Sequence, residues 1–264
     1  MKRAGDMVKW IGLLQGAAAL AGCGATGNEQ VQPGTRPEVQ AATAVPEPIA
    51  EKTAEPCGAV IEWVDFLMID DIKYYQNYDG TKEVSAEQKG DKVGEVSYML
   101  NEHACTNHVT QNGDAAFLPI GTEIYALKGY TPEFRVVAGG KIYEVKDNPK
   151  AATMEELFDI KGKVQKVSLE SGMDGSLIGD FSEAASEAFI RELLPLPYFG
   201  FDKVYEQARF ETGVFLRVTL QDGTSFRMIY YPKANAFTAG AFGTETLKEL
   251  IMTQRAQIKA AAGL

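Results

Sequence analysis

The chain has 264 residues, 45% of them hydrophobic, and a formal net charge of −10 at neutral pH. That acidity argues against nucleic acid, whose binding depends on Lys and Arg neutralising phosphates, and against a polybasic grip on anionic lipid. No apolar run reaches the roughly 20 residues that a membrane-spanning helix needs.

Residues 1–22 have the three parts of an export signal. Lys2, Arg3 and Lys9 form a basic start, Trp10 to Leu20 is an apolar run of eleven residues, and the small residues Ala21 and Gly22 lead into Cys23. Met7 offers a second possible start without changing the pattern. Leu20-Ala21-Gly22-Cys23 resembles a bacterial lipobox. The resemblance implies transfer of diacylglycerol to the Cys23 sulfur, cleavage before Cys23, and palmitate-like chains holding the protein on the extracytoplasmic face of the cell membrane. Each buried CH₂ group contributes about 0.8 kcal/mol, so two or three acyl chains anchor a soluble domain stably. The alternative is an ordinary cleavable signal in which Cys23 is incidental. Residues 1–22 carry three basic groups and one acid, which leaves the remainder at about −12; negative charge of that size keeps an extracytoplasmic domain soluble.

Residues 23–58 read as a disordered tether. Pro33, Pro37, Pro46, Pro48 and Pro56 fall here and there is no aromatic side chain between Gly24 and Pro56, too little to bury a core. As a coil the stretch spans roughly 30 Å.

The folded part is expected to comprise two small subdomains, mainly β over 59–150 and α+β over 151–264. Val60 to Tyr75 is rich in β-branched and aromatic residues, as strands are. Asp79-Gly80 signals a tight turn. Ser85-Ala-Glu-Gln88 fits a helix cap, with Gly90 ending that helix and Gly94 to Leu100 forming a strand. Thr122 to Lys128, Phe134 to Ala138 and Lys141 to Lys146 follow as strands, with Gly139-Gly140 as a two-residue hairpin turn. Asn148-Pro149 marks the boundary.

Beyond it, Thr153 caps a short helix, Val164 to Leu169 is a strand, and Phe181 to Leu194 is an amphipathic helix capped by Asp180 or Ser182 and stopped by Pro195. Residues 204–231 read as a three-stranded meander turning at Thr212-Gly213 and Asp222-Gly223. Leu247, Leu250, Ile251, Gln254 and Ile258 mark a closing helix with a Thr246-x-x-Glu249 capping box. Antiparallel strands in hairpins and a meander, with a few amphipathic helices, give an α+β fold. Asn77-Tyr78-Asp79-Gly80, Phe117 to Tyr125 and Lys128-Gly129-Tyr130 resemble uncharacterised lipoproteins of spore-forming Gram-positive bacteria, a resemblance that implies no activity.

One cluster carries possible chemistry. Glu102-His103-Ala104-Cys105-Thr106-Asn107-His108 holds both histidines of the chain. Imidazole and thiolate suit zinc or copper, although His103 and Cys105 are closer in sequence than paired ligands of structural zinc sites. Cysteine arithmetic offers a competing use. With Cys23 acylated, Cys57 and Cys105 form an even pair in an oxidising compartment, and a bridge across about 48 residues contributes roughly 4 kcal/mol on the chain-entropy model. Free thiols are the third possibility, and a Cys105–His108 nucleophile pair a fourth.

No nucleophile elbow, Ser-x-x-Lys, His-Glu-x-x-His or Cys-x-x-Cys motif occurs. Asp70-Asp71 and Glu155-Glu156 read as solvated carboxylates. Ser171 to Asp180 has oxygens among glycines but lacks the order of a calcium loop. Tyr74, Tyr75 and Tyr78, with Tyr230-Tyr231, are core and cross-strand residues or an exposed platform for sugar or peptide.

These features favour a non-catalytic binding or accessory module at the cell surface, needing no cofactor and facing an envelope protein or glycan. A metal-binding lipoprotein using His103, Cys105 and His108 is one alternative, and a cell-envelope hydrolase with an unrecognised site another.

Overall fold

The computed structural model describes residues 61–264; the export segment, Cys23, the proline-rich stretch and Cys57 lie outside the described residues. Strands β1 (Phe66–Ile69) and β2 (Ile72–Gln76) form an antiparallel hairpin in which Ile69 faces Ile72. Its two turn residues are Asp70 and Asp71, both with positive φ, 53° and 64°. Two-residue hairpins need that geometry, and Asp is among the few side chains that tolerate it. The adjacent carboxylates are therefore a turn. The Asn112 side chain closes over it, accepting from Asp71 N–H at 2.7 Å and donating to Asp71 Oδ1 at 2.8 Å.

Ser85 begins a single 3-10 turn, Ala86–Gln88, with Gln88 Oε1 accepting from Ser85 N–H at 2.9 Å. Gly90 does not end a helix; it lies within β3 (Lys89–Glu95). The sheet continues through β4 (Tyr98–Met99), β5 (Asp114–Ala115), β6 (Glu123–Leu127), β7 (Arg135–Ala138) and β8 (Lys141–Asp147). Gly139 and Gly140 turn β7 into β8 with φ of 57° and 78°. The eight strands run in the order β3-β6-β7-β8-β2-β1-β5-β4. All pairings are antiparallel except β4 with β5.

The second sheet has the order β10-β9-β11-β12-β13-β14. It consists of β9 (Val164–Glu170), β10 (Leu177–Asp180), β11 (Val214–Leu220), β12 (Ser225–Tyr231), β13 (Ala236–Phe237) and β14 (Ala241–Phe242). Helices α1 (Met154–Leu157), α2 (Glu183–Leu193), α3 (Phe201–Ala208) and α4 (Glu245–Ala261) accompany it. Thr153 and Ser182 cap α1 and α2, accepting from backbone N–H groups three residues on, at 3.2 Å in both cases.

Three expectations are corrected here. Residues 201–208 are helical because Val204 and Ala208, one turn apart, supply the buried stripe, so the strand paired to β11 on its other side is β9. Thr244, not Thr246, caps α4, accepting from Leu247 N–H at 3.1 Å. The end of the glycine-rich Ser171–Asp180 segment is strand β10.

The two sheets divide close to residue 150, but the core does not. Val214, Leu216, Val218 and Leu220 bury one face of β11 together with Phe189 and Leu193 of α2 and Leu247 and Ile251 of α4. The same cluster holds Leu67, Tyr74, Ile124, Val136 and Tyr143 of the first sheet. Phe134, Phe158 and Phe226 join the two halves, their ring centroids 5.1 to 5.9 Å apart. Fully burying an apolar side chain of this size stabilises the fold by about 1.5–3 kcal/mol.

A buried ion-pair network fastens the sheets at one point. Arg135, 0% exposed, stands opposite Glu144 in the β7–β8 ladder and donates to its Oε1. Its other amino group donates to Thr224 Oγ1 at 2.6 Å, next to the second sheet. Tyr130 and Phe134 pack on the guanidinium at 4.9 and 4.8 Å. Asn77 Nδ2 donates both to Glu144 at 2.8 Å and to the Ser225 carbonyl at 2.7 Å. Ser225 N–H in turn donates to Gly80 O at 2.7 Å. A methyl group on Gly80 would sit 1.7 Å from the Ser225 carbonyl oxygen, so glycine is obligatory there.

Removing one partner of such a pair costs more than removing both, because the survivor is a buried charge without a counter-ion. Arg135→Met is expected to destabilise the protein by about 3–5 kcal/mol, and Arg135→Met with Glu144→Leu to recover most of that loss. Urea unfolding midpoints of the two variants check this; equal midpoints would contradict it.

Candidate functional site

Among the described residues, the histidines of the 102–108 loop bond to the loop's own neighbours. His103 Nδ1 lies 2.8 Å from the Asn101 carbonyl oxygen, and His108 Nε2 lies 2.7 Å from Asp114 Oδ2. The Tyr98 ring stacks on His108 at 5.2 Å and meets His103 edge-on at 6.5 Å. Asp114 Oδ2 also accepts from Gln111 N–H at 2.8 Å. Both imidazoles thus fasten the loop between β4 and β5. Among the described residues no group of three or more His, Cys, Asp or Glu is placed to hold a metal ion. Cys105 shares the loop, its carbonyl accepting from His108 N–H at 2.9 Å. Cys23 and its lipid, and the Cys57 half of a bridge, lie outside the described residues.

The other acidic candidates are also committed to structure. In the β9–β10 turn Asp174 accepts from the Ser176 N–H and hydroxyl at 3.1 and 2.8 Å. Bonds from Ser171 and Ser176 hold its carboxyl below the usual range. Asp180 pairs with Lys166 at 2.8 Å and Ser168 at 2.7 Å. Glu155 pairs with Lys161 at 2.9 Å, and Glu156 accepts from Ala152 N–H at 2.6 Å.

The surface that stands out is a groove of about 550 Å³ between β2, β8 and the segment leading into α3. Lys73 and Tyr75 reach it from β2, Lys146 and Asp147 from β8, and Tyr198, Phe199, Phe201, Asp202 and Lys203 from the other wall. Period-two alternation explains the β2 contribution: Tyr74 is buried in the core, and Tyr75 faces the opposite way. Lys146 lies two residues after Glu144, and so on the face of β8 that carries the Arg135 network.

The far wall is held by main-chain and side-chain bonds. Tyr198 N–H donates to Ala152 O at 2.9 Å and Phe199 N–H to Gly240 O at 2.7 Å. The Tyr198 hydroxyl donates to Asp147 Oδ1 at 2.5 Å. Burial and that carboxylate together push the Tyr198 phenol up, so it stays a donor at neutral pH. Gly240 lets the wall close, since a methyl group there would lie 2.7 Å from the Tyr198 ring and 2.8 Å from the Gly200 carbonyl carbon.

Its electrostatics are set by three lysines gathered in one place, although Lys82, Lys89, Lys128, Lys233 and Lys259 elsewhere among the described residues also reach no carboxylate within 4.0 Å. Lys92, Lys141, Lys150, Lys161, Lys163, Lys166 and Lys248 each reach a carboxylate within 4.0 Å. Among the described residues no carboxylate comes that close to Lys73, Lys146 or Lys203. Their ammonium groups rest on aromatic rings instead. Lys146 lies 4.4 Å from the Phe201 centroid, Lys203 4.6 Å from Phe199 and Lys73 4.6 Å from Phe66. Burial lowers the Lys146 amine below the ordinary lysine range, opposed by the more distant Asp147 and Asp202 and reinforced by Lys73. Phe199 remains 43% exposed at the rim.

A larger groove, about 780 Å³, runs along α2, where Glu155, Glu183 and Glu187 outnumber Lys161 and Arg191 and leave one negative charge in excess. No family model, curated protein or solved structure matches the chain. Among the described residues no helix is long and apolar enough to cross a membrane.

Of the groove residues, sequence reasoning singled out only Tyr75. A lysine without a carboxylate partner has no signature in sequence, because its partners are decided by chain segments up to 130 residues away, as with Lys73 and Lys203.

Proposed function

We propose that this chain is an extracytoplasmic lipoprotein, acylated on Cys23, whose folded part is a non-catalytic binding module with the lysine-lined groove as its ligand site. The observation that carries the reading is the groove's charge. Three ammonium groups without ion-pair partners meet aromatic rings in a protein whose remaining surface is acidic. A concave site with a few convergent polar groups on apolar walls is the usual form of a small-ligand pocket. The lipobox-like Leu20-Ala21-Gly22-Cys23 supports the membrane address, and the proline-rich stretch supplies reach from the bilayer.

Two experiments test it on the full chain. Cys23→Ala is expected to move the protein from the membrane fraction to the soluble fraction; unchanged partitioning would contradict the anchor. The detergent-solubilised chain is expected to co-sediment with isolated bacterial cell walls, with Lys146→Gln plus Lys203→Gln weakening retention about tenfold, the usual scale for lost charge-assisted hydrogen bonds. Wall retention indifferent to both substitutions would remove the groove from the function.

A further inference from the structure

We infer that the groove takes a sugar carrying one negative charge, held through its anion by Lys146 with Lys73 and Lys203 on either side. The inference rests on the groove being the ligand site, and specifies the ligand's chemistry.

Charge sets the first requirement. Lys73, Lys146 and Lys203 face Asp147 and Asp202, which leaves one positive charge in excess within the groove. Asp147 already accepts the Tyr198 hydroxyl. One anionic group therefore balances the site, and two would be left partly uncompensated in a protein that is acidic elsewhere.

Lys146 is the anchor because it bears the largest unrelieved cost. Its ammonium has lost water to the Phe201 and Tyr75 rings, 4.4 and 5.7 Å away, without gaining a carboxylate within ion-pair distance. An anion arriving there recovers electrostatic energy that the free protein lacks. Lys203, fixed over Phe199 at the rim, and Lys73, beside Tyr75 at 5.9 Å, stand either side of it.

Shape and polarity set the second requirement. The space, about 550 Å³, admits one or two hexose rings. Its walls alternate aromatic faces with polar edges, as needed by a ligand whose ring has an apolar C–H face and a hydroxyl rim. A purely apolar ligand would cover the ammonium groups without pairing them, and a flexible acidic peptide would bring more than one charge. A carboxylate on the ring and a phosphodiester linked to it both meet the single-charge condition.

The test measures affinity of the full chain, in detergent, for methyl galacturonoside, for a glucose–glycerol phosphodiester, and for methyl galactoside as the neutral control. Binding of either anionic sugar, at least about tenfold tighter than the neutral control, supports the inference, and the arm that binds identifies carboxylate or phosphodiester as the source. Lys146→Gln is expected to lose that preference, Lys146→Arg to retain most of it, and Lys82→Gln, at an exposed lysine outside the groove, to change nothing. Equal binding of neutral and anionic sugars, dependent on Phe199→Ala, would overturn the charge assignment while leaving the groove as a ligand site. Binding of none of the three by a chain that still sediments with cell walls through Lys146 would overturn the sugar assignment. Anionic preference unchanged in Lys146→Gln would overturn the placement of the anion.

Discussion

Arg135 is the constraint on which the arrangement turns. A guanidinium with no exposure to solvent must find its partners within the protein, and its two amino groups find Glu144 across the β7–β8 ladder and Thr224 beside β12, while Nε is left without a partner among the described residues. Burial raises the Glu144 carboxyl while Arg135 pulls it back down, so each charge is tolerable only beside the other. Asn77 and Gly80 draw the backbone of Ser225 into the same knot. The hydrophobic cluster supplies most of the driving force for folding. A burial term has no direction, however, and hydrogen bonds to a fixed guanidinium do; these set how the first sheet is seated on the second half of the chain.

The groove is a consequence of that seating. One wall is β2 and β8, the strands next to the network, and the other is the segment from Tyr198 to Lys203. Neither wall alone makes a cavity. The Tyr198 hydroxyl on Asp147 ties the two walls together, and the close approach of Gly240 to Gly200 supports the far one. Lys146 then lies where aromatic rings remove its water and no carboxylate within ion-pair distance replaces it. Such a residue costs stability in the free protein, which is the pattern expected where structure has been arranged around a ligand.

Much of the local structure was legible in the sequence, for identifiable reasons. Gly139-Gly140 between alternating strands announced a hairpin, and the apolar alternation from Val214 to Leu220 announced a half-buried strand. Ser182 before an amphipathic run marked the start of α2. What was not legible also has physical causes. Asp70-Asp71 are exposed, as expected of solvated carboxylates, and they also make the hairpin turn, since Asp tolerates the left-handed conformation that a tight hairpin demands. Residues 204–208 were placed at the start of the meander, while the one-turn spacing of Val204 and Ala208 decided for helix. For the histidine cluster, sequence shows which donors are near one another but not where a ring nitrogen points; Asn101 and Asp114 each meet one ring nitrogen. Tyr74 and Tyr75, for which core and platform were both open, differ by the pleat, Tyr74 being buried and Tyr75 half-buried on the opposite face.

The most direct measurement on the central claim, that the groove is occupied where the protein works, is amine labelling followed lysine by lysine. The full chain is treated with an acylating mass tag on intact cells and again after purification, and peptides are compared at Lys73, Lys146, Lys203 and the exposed Lys82. The account predicts protection of the three groove lysines on cells and its loss on purification, with Lys82 labelled equally in both. Identical labelling of Lys146 and Lys203 in the two settings would contradict it.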